Sequence, residues 1–471
     1  MSKSVLWFVV VSLVGCATEP ELSTTEELLS QNKNVIQNGQ PVQNDYGHST
    51  TISTQGSIDL TNEFFQDLGS NGRRCVSCHL PSAGWGVTPE ELQGTFDSTS
   101  GGVIDDGHGL GAVFRLNDGS VSPNADISTL DNRRAAFRML LTKGLIRVGI
   151  GIPAGAEFVL QAVDDPYGHA SAQELSLFRR PLPATNLAFL STVMWDGRET
   201  FKDDEGQLKS IHFDLSDQAN GANQGHAQGP PLSDAQRESI VAFEASLYTA
   251  QVMNKGVGQL DGNGASGGPE ALLNQPFYIG INDVFGDPVS GDAFDKNAFD
   301  IYDAWTNNNK KQRAQIARGQ KLFNTRKLVI TGVSGLNDDF GIPSLDATCS
   351  FCHNSPNAGD HSLPVPLDIG IADESERTPD MPLYVLQCVS GPHAGQVYRV
   401  TDPGRGLISG KCADIGRFKG PILRGLAARA PYFHNGSASN LAEVVNFYDR
   451  RFQMHLTTAE KADLTAFLAA L

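Results

Sequence analysis

The chain has 471 residues, enough for two or more domains, and its make-up of 40% hydrophobic and 19% charged residues fits a soluble globular protein. A formal net charge of −17 argues against nucleic acid and anionic lipid surfaces as partners, while permitting a basic redox protein. With 49 glycines and 24 prolines, long connections are expected between the regular elements.

At the start, Lys3 precedes an apolar run over 5–14, about ten residues, too short to span a bilayer. The run ends Leu13-Val14-Gly15-Cys16, similar to a bacterial lipoprotein signal. That predicts a signal peptide over 1–16 with Cys16 as a lipidated N-terminus; a plain secretory signal cut nearby is the alternative. Residues 17–50 are polar and read as a flexible tether. The expected location is the periplasmic side of the cell envelope or the cell surface. The outer membrane would be touched only through a lipid on Cys16.

A helix is predicted over 57–68 from Ile58, Phe64, Phe65 and Leu68, stopped by Gly69. Asn71-Gly72 then turns the chain into Cys75-Val-Ser-Cys78-His79. The stretch 84–119 is rich in glycine and aspartate and reads as loop. A second helix is predicted over 133–146 and a short strand over 158–163. The run 217–231 is polar and reads as a flexible loop. A helix over 233–248 and a glycine-rich surface loop over 259–268 follow. A helix over 313–323 opens a second module, which leads to Cys349-Ser-Phe-Cys352-His353. Segments 384–388 and 396–400 can pair as a small hairpin. Two helices close the chain. One has Asn440 as cap, Glu443 three residues on, and the face Leu441, Val444, Val445 and Tyr448. The other has Thr457 and Glu460, and the face Leu464, Phe467, Leu468 and Leu471.

The two pentapeptides carry the chemistry. C-x-x-C-H is the attachment pattern of a c-type haem: two thiols add across the vinyl groups, and the histidine becomes the proximal iron ligand. A zinc site would need a second thiol pair beside either copy, and a thioredoxin-like pair would need a βαβ context; neither is present. Two covalently attached haems are therefore expected, held by Cys75, Cys78 and His79 and by Cys349, Cys352 and His353. Of the seven cysteines, Cys388 and Cys412 remain. In an oxidising compartment they read as a disulfide; two buried thiols are the alternative.

Further runs add a resemblance. These are Met194-Trp195-Asp196-Gly197-Arg198, Phe418-Lys419-Gly420-Pro421-Ile422-Leu423-Arg424, and Ala430-Pro431-Tyr432-Phe433-His434-Asn435-Gly436-Ser437. Together with the pentapeptides they resemble the bacterial dihaem cytochrome c peroxidase family, over roughly 58–471. The resemblance implies a mainly α fold of two cytochrome c-type domains packed face to face, with long loops and a small β-hairpin. The N-terminal domain would span 51–312 and hold the peroxidatic haem. The C-terminal domain would span 313–471 and hold the electron-relay haem.

On that likeness His79 ligates the reactive iron, His353 the relay iron, and Trp195 bridges them; a core aromatic is the competing reading. Tyr448 stands where ordinary peroxidases carry the relay haem's methionine ligand. This resembles the MauG branch, which oxidises residues of a partner protein. An anionic tyrosinate would stabilise ferric iron. Met454 and Met381 are rival ligands, and a hydrogen-bonded core tyrosine is the plain reading. The distal acid–base position falls near 226–228, which makes His226 and Gln228 candidates; a surface histidine is the alternative. The family's calcium is disfavoured, because Arg180 stands in place of the ligating asparagine, with Arg429 and Pro431 at the carbonyl positions. Either arginine could supply positive charge near the propionates instead. His434 is assigned to packing or to a propionate. The implied activity is a peroxidase, or a MauG-like oxidation of a protein or small substrate. It would use hydrogen peroxide and a small redox protein or protein substrate. A non-enzymatic dihaem electron carrier is the alternative.

Overall fold

The structure, a computed structural model, describes residues 24–31 and 34–471. Cys16 and the predicted signal peptide over 1–16 lie outside the described residues. Thirteen α-helices occur among the described residues, several of them a single turn, together with short strands in five small sheets. The helices fit the expected class, but the strand content exceeds the hairpin and the one short strand read from sequence.

Two apolar cores hold the molecule. The first gathers Phe64, Phe65, Trp85 and Phe243, whose ring centroids lie 5.1 to 6.4 Å apart. The second gathers Phe299, Tyr302, Trp305, Phe323 and Phe467 with the chain's last residues. The pentapeptides border one core each: the His79 ring lies 6.2 Å from Phe64, and the His353 ring 6.0 Å from Phe323. In the second core the helix Lys311–Thr325 crosses Thr458–Leu468 at Gly319, where a Cβ would stand 2.0 Å from the Asp463 carbonyl oxygen. A side chain there would force the helices apart.

Several expectations give way. The stretch read as tether contains regular structure among its described residues: Thr25–Gln31 is a helix, and Val35–Gln37 pairs antiparallel with Ser57–Asp59. The predicted helix over 57–68 is therefore a strand followed by a 3-10 turn at Glu63–Phe65, where the Asn62 side chain accepts from the Phe64 N–H. The supposed loop 84–119 contains the helix Pro89–Ser98, which starts at Thr88 and Pro89. The helix expected over 133–146 is split into Leu130–Ala136 and Arg138–Lys143, and Gly144 in the left-handed conformation then turns the chain into the strand Ile146–Ile150. The helix Asp234–Ala245 stops short of 248, because Leu247 begins a strand pairing with Gly47–Ser53.

The run 217–231 differs most. It lies largely in the helix Ile211–Gly225, capped by Ser210 on the Phe213 N–H. Its buried stripe of Leu215, Ala219 and Asn223 recurs every fourth residue and packs on Asp234–Ala245. Packing of this narrow stripe overrides the weak helix propensity of glycine and asparagine.

The strands Leu383–Cys388 and Val397–Val400 form the expected hairpin, and Phe158–Asp164 adds a third antiparallel strand to it. Cys388 and Cys412 are joined as a disulfide. Thr457 and Glu460 make a reciprocal capping box. Asn440 caps its helix as expected, but Glu443 accepts from the Ser439 N–H, one residue before the cap.

Candidate functional site

The pentapeptide histidines are set alike. His79 Nδ1 lies 3.2 Å from the Trp85 carbonyl oxygen, and His353 Nδ1 lies 2.8 Å from that of Gly359. A carbonyl only accepts, so each Nδ1 donates and each neutral ring keeps its lone pair on Nε2. Desolvation pushes both imidazoles down to about 4, so both rings stay neutral near pH 7. Cys75, Cys78, Cys349 and Cys352 are not joined in disulfides. Burial pushes these thiols up, to about 11 at Cys78 and about 12 at Cys349 and Cys352. A neutral, oriented imidazole beside two free thiols is the donor set that c-type attachment needs.

A cavity of about 270 Å³ opens beside Cys75, Cys78 and His79, and Trp195 and His226 also line it. Trp195 donates its ring N–H to the Arg180 carbonyl at 2.8 Å. The Trp195 carbonyl in turn accepts the Lys419 N–H at 2.9 Å, and a Cβ at the next residue, Gly420, would stand 4.0 Å from His353 Cε1. Trp195 thus lies in the wall of the first site and one hydrogen bond from the segment that passes the second histidine.

Around it the sequence motifs converge. The His434 ring stacks on Phe418 at 4.0 Å and lies 6.2 Å from Trp195, while the Arg180 N–H donates to the His434 carbonyl. His434 is buried, its Nε2 has no hydrogen-bond partner and lies 4.0 Å from an Asp402 carboxylate oxygen, and burial lowers its imidazole to about 4. Arg179 anchors the junction, bonding Asp196 at 2.5 Å and Asp402 at 2.7 and 2.9 Å. Burial opposes charge on Asp196, but Arg179 and Arg198 outweigh it and hold this carboxyl low.

His226 ends the helix Ile211–Gly225, and its Nδ1 bonds the carboxylate of Asp118, which also meets Arg73. An imidazole held this way presents its other nitrogen in a fixed orientation, as a proton carrier requires. Its side chain is 43% exposed, so the cavity edge at His226 reaches solvent. Gln228 is exposed and is not part of the cavity wall.

Tyr448 is half-buried on the helix Leu441–Arg451 and packs against the second core. Burial raises its phenol, and the Cys352 and Cys349 thiols raise it further, which places the ring at the second pentapeptide. Met454 shares that core, whereas Met381 packs with Val121, Met139, Leu145 and Phe178 elsewhere.

Two groups were not legible as functional from sequence. Asp118 sits in the single distorted turn Leu116–Gly119 with φ +57 and carries no motif. Glu244 lines the cavity and is 7% exposed; burial alone pushes its carboxyl up to about 8. Its position one turn after buried Ile240 was a readable signal, a carboxylate within an apolar stripe. Arg180, singled out in the sequence, donates its guanidinium to the carbonyls of Lys143, Val87 and Arg429 at 2.8, 2.6 and 3.1 Å. A cation bound by the Arg429 carbonyl would have to displace it, so this donor set does not fit calcium.

Residues 417–455 match a family model described as RoxA-like, cytochrome c-like. Two curated relatives are similar to parts of the chain. The cytochrome-c peroxidase IdrP1 of Pseudomonas sp. (strain SCT) is 35% identical over 146 residues, covering 26% of this chain and 36% of the relative. The cytochrome-c peroxidase IdrP2 of Denitromonas iodatirespirans is 35% identical over 133 residues, covering 26% and 35%. The chain thus spans about a third of the length of the curated relatives it matches. A solved structure of a MauG-like protein associated with microbial copper homeostasis aligns over 65% of this chain and 77% of its own, at 18% identity and a TM-score of 0.33. The family-model match and the curated relatives support haem c as the cofactor and a relationship to the cytochrome-c peroxidases.

Proposed function

We propose that the chain is a dihaem c-type oxidoreductase that uses hydrogen peroxide, with the first pentapeptide at the reactive site and the second at the relay site. Trp195 carries this reading, because it lines the first cavity and is hydrogen-bonded to the segment that passes His353. Haem c, when bound, supplies an iron able to bind peroxide and a conjugated ring able to exchange electrons. Cys75 and Cys78, and likewise Cys349 and Cys352, would hold it through thioethers, and the Nε2 atoms of His79 and His353 would ligate iron. His226, oriented by Asp118, takes a proton at its free ring nitrogen and returns it. Trp195 shortens the path between the two sites. The apolar cores behind each histidine keep water from its proximal side.

Two lobes fit this division of labour, with Phe299, Tyr302 and Trp305 joining the second core from ahead of the expected boundary at 313, as does a lipid anchor at Cys16 on the periplasmic side. Tyr448 favours one version of the reading, in which a protein residue or small molecule is oxidised in the MauG manner. As ligand it would have to lose its phenolic proton, which burial makes hard and a ferric centre makes easier. Electron paramagnetic resonance of the ferric protein, before and after peroxide, tests the proposal. One high-spin centre that reacts is expected. Two unreactive low-spin centres, in ferric and half-reduced samples alike, would instead identify an electron carrier.

A further inference from the structure

The cavity wall contains a cation with no visible counter-charge. Arg429 is 8% exposed, and its Nε and Nη2 have no hydrogen-bond partner. The group is wedged: a Cβ at Gly84 would stand 3.0 Å from its Nε, and one at Gly425 2.8 Å from its Nη2. Both glycines have positive φ, +57 and +70, so backbone conformation and missing side chains together reserve this space. Arg180 lies alongside and spends its donors on the carbonyls of Lys143, Val87 and Arg429 itself. Neither arginine forms an ion pair with a carboxylate among the described residues. Burial lowers the guanidinium of Arg429 to about 9 and that of Arg180 to about 10, with the Tyr432 phenol pulling the other way in both cases.

Two neighbouring buried guanidiniums without an anion are costly unless something supplies one. The free edge of Arg429 is planar and presents parallel donors, the shape that recognises a carboxylate. Arg429 is one of the residues lining the cavity that Cys75, Cys78 and His79 also line.

We propose that Arg429 is the carboxylate-binding residue of this cavity, with a haem propionate as its ligand, and that Arg180 is a positioning residue clamped on the Arg429 carbonyl as a built-in cation. The inference rests on the functional reading above and deepens it. Arg180 occupies the Arg429 carbonyl, one of the two oxygens that a hard divalent ion would use there. The junction is thereby independent of such an ion.

The test uses the matured holoprotein, with the midpoint potential of each haem followed spectroscopically. Arg429→Gln is expected to lower the potential of one haem and leave the other in place, and Arg429→Lys to restore part of the shift. Arg180→Gln should move the same haem in the same direction. Wild type should not respond to EGTA or added calcium. An unshifted Arg429→Gln protein overturns the carboxylate assignment, and a chelator-sensitive wild type overturns the built-in cation. A saturable spectral response of wild type to acetate, abolished in Arg429→Gln, overturns the propionate as ligand in favour of a free carboxylate. Mass spectrometry separates the two readings: absence of a haem adduct on Cys75 and Cys78 sinks the functional proposal. In such adduct-free protein, calorimetric titration with succinate decides the carboxylate site, and absence of binding overturns it.

Discussion

Glu244→Gln gives the sharpest test of the cavity's electrostatics. The wild-type carboxyl is raised from 4.5 to about 8 by burial, so the folded state holds its proton more tightly than the unfolded state. Between those two values the folded chain carries more protons, and stability must fall as pH rises. Each unit is worth about 1.4 kcal/mol. From pH 5.5 to 7.5 this group should therefore remove about 3 kcal/mol from wild type and nothing from the glutamine variant. Asp368, raised to about 7, and Asp360 and Asp214, each raised to about 6, add slopes of their own, but these are common to both proteins and cancel in the difference. Denaturant unfolding of both proteins at the two pH values measures it. Parallel stability curves would show that Glu244 ionises freely, and the description of it as desolvated would be wrong.

Tyr448→Phe should change the spectrum of one haem only; two unchanged spectra would remove Tyr448 as a ligand. Trp195→Phe removes the N–H donated to the Arg180 carbonyl and should slow electron exchange between the sites, measured by flash reduction, by about tenfold or more for each 1.4 kcal/mol added to the barrier. Asp118→Asn loosens His226 and should cut the rate of reaction with peroxide by about 10- to 100-fold, with a stopped-flow rate equal to wild type counting against the proton role. Gly319→Ala should cost about 2 kcal/mol or more in thermal unfolding, since its Cβ would meet the Asp463 carbonyl at 2.0 Å; an unchanged melting temperature would mean that the helices can part freely.

The chemistry was more legible than the scaffold around it. The pentapeptides, the tryptophan run and the His434 run announce themselves as local strings, and the fold brings them to one junction. The closing helices were readable because Leu464, Phe467 and Leu468 recur at helical spacing behind a Thr457–Glu460 box. Residues 57–68 were misread because Ser57–Asp59 takes its partner from Val35–Gln37, in a stretch too polar to look structured. The helix Ile211–Gly225 was missed because its buried stripe is narrow and partly polar, and only the neighbouring helix shows why it folds. Asp118 and the Arg180 clamp depend on backbone carbonyls and loop conformation, which leave no pattern in residue types.

The strand Phe158–Asp164 pairs with Leu383–Cys388, and the wall beside Cys75 includes Lys419, Pro421 and Tyr432. An early pentapeptide is thus enclosed by residues translated far later, which makes assembly a matter of order. Ring closure over so long an interval is slow. Thiol chemistry at Cys75 and Cys78 accordingly has an open cleft to work in before the last fifth of the polypeptide shuts it, and a fragment ending ahead of Leu383 would lack that part of the wall.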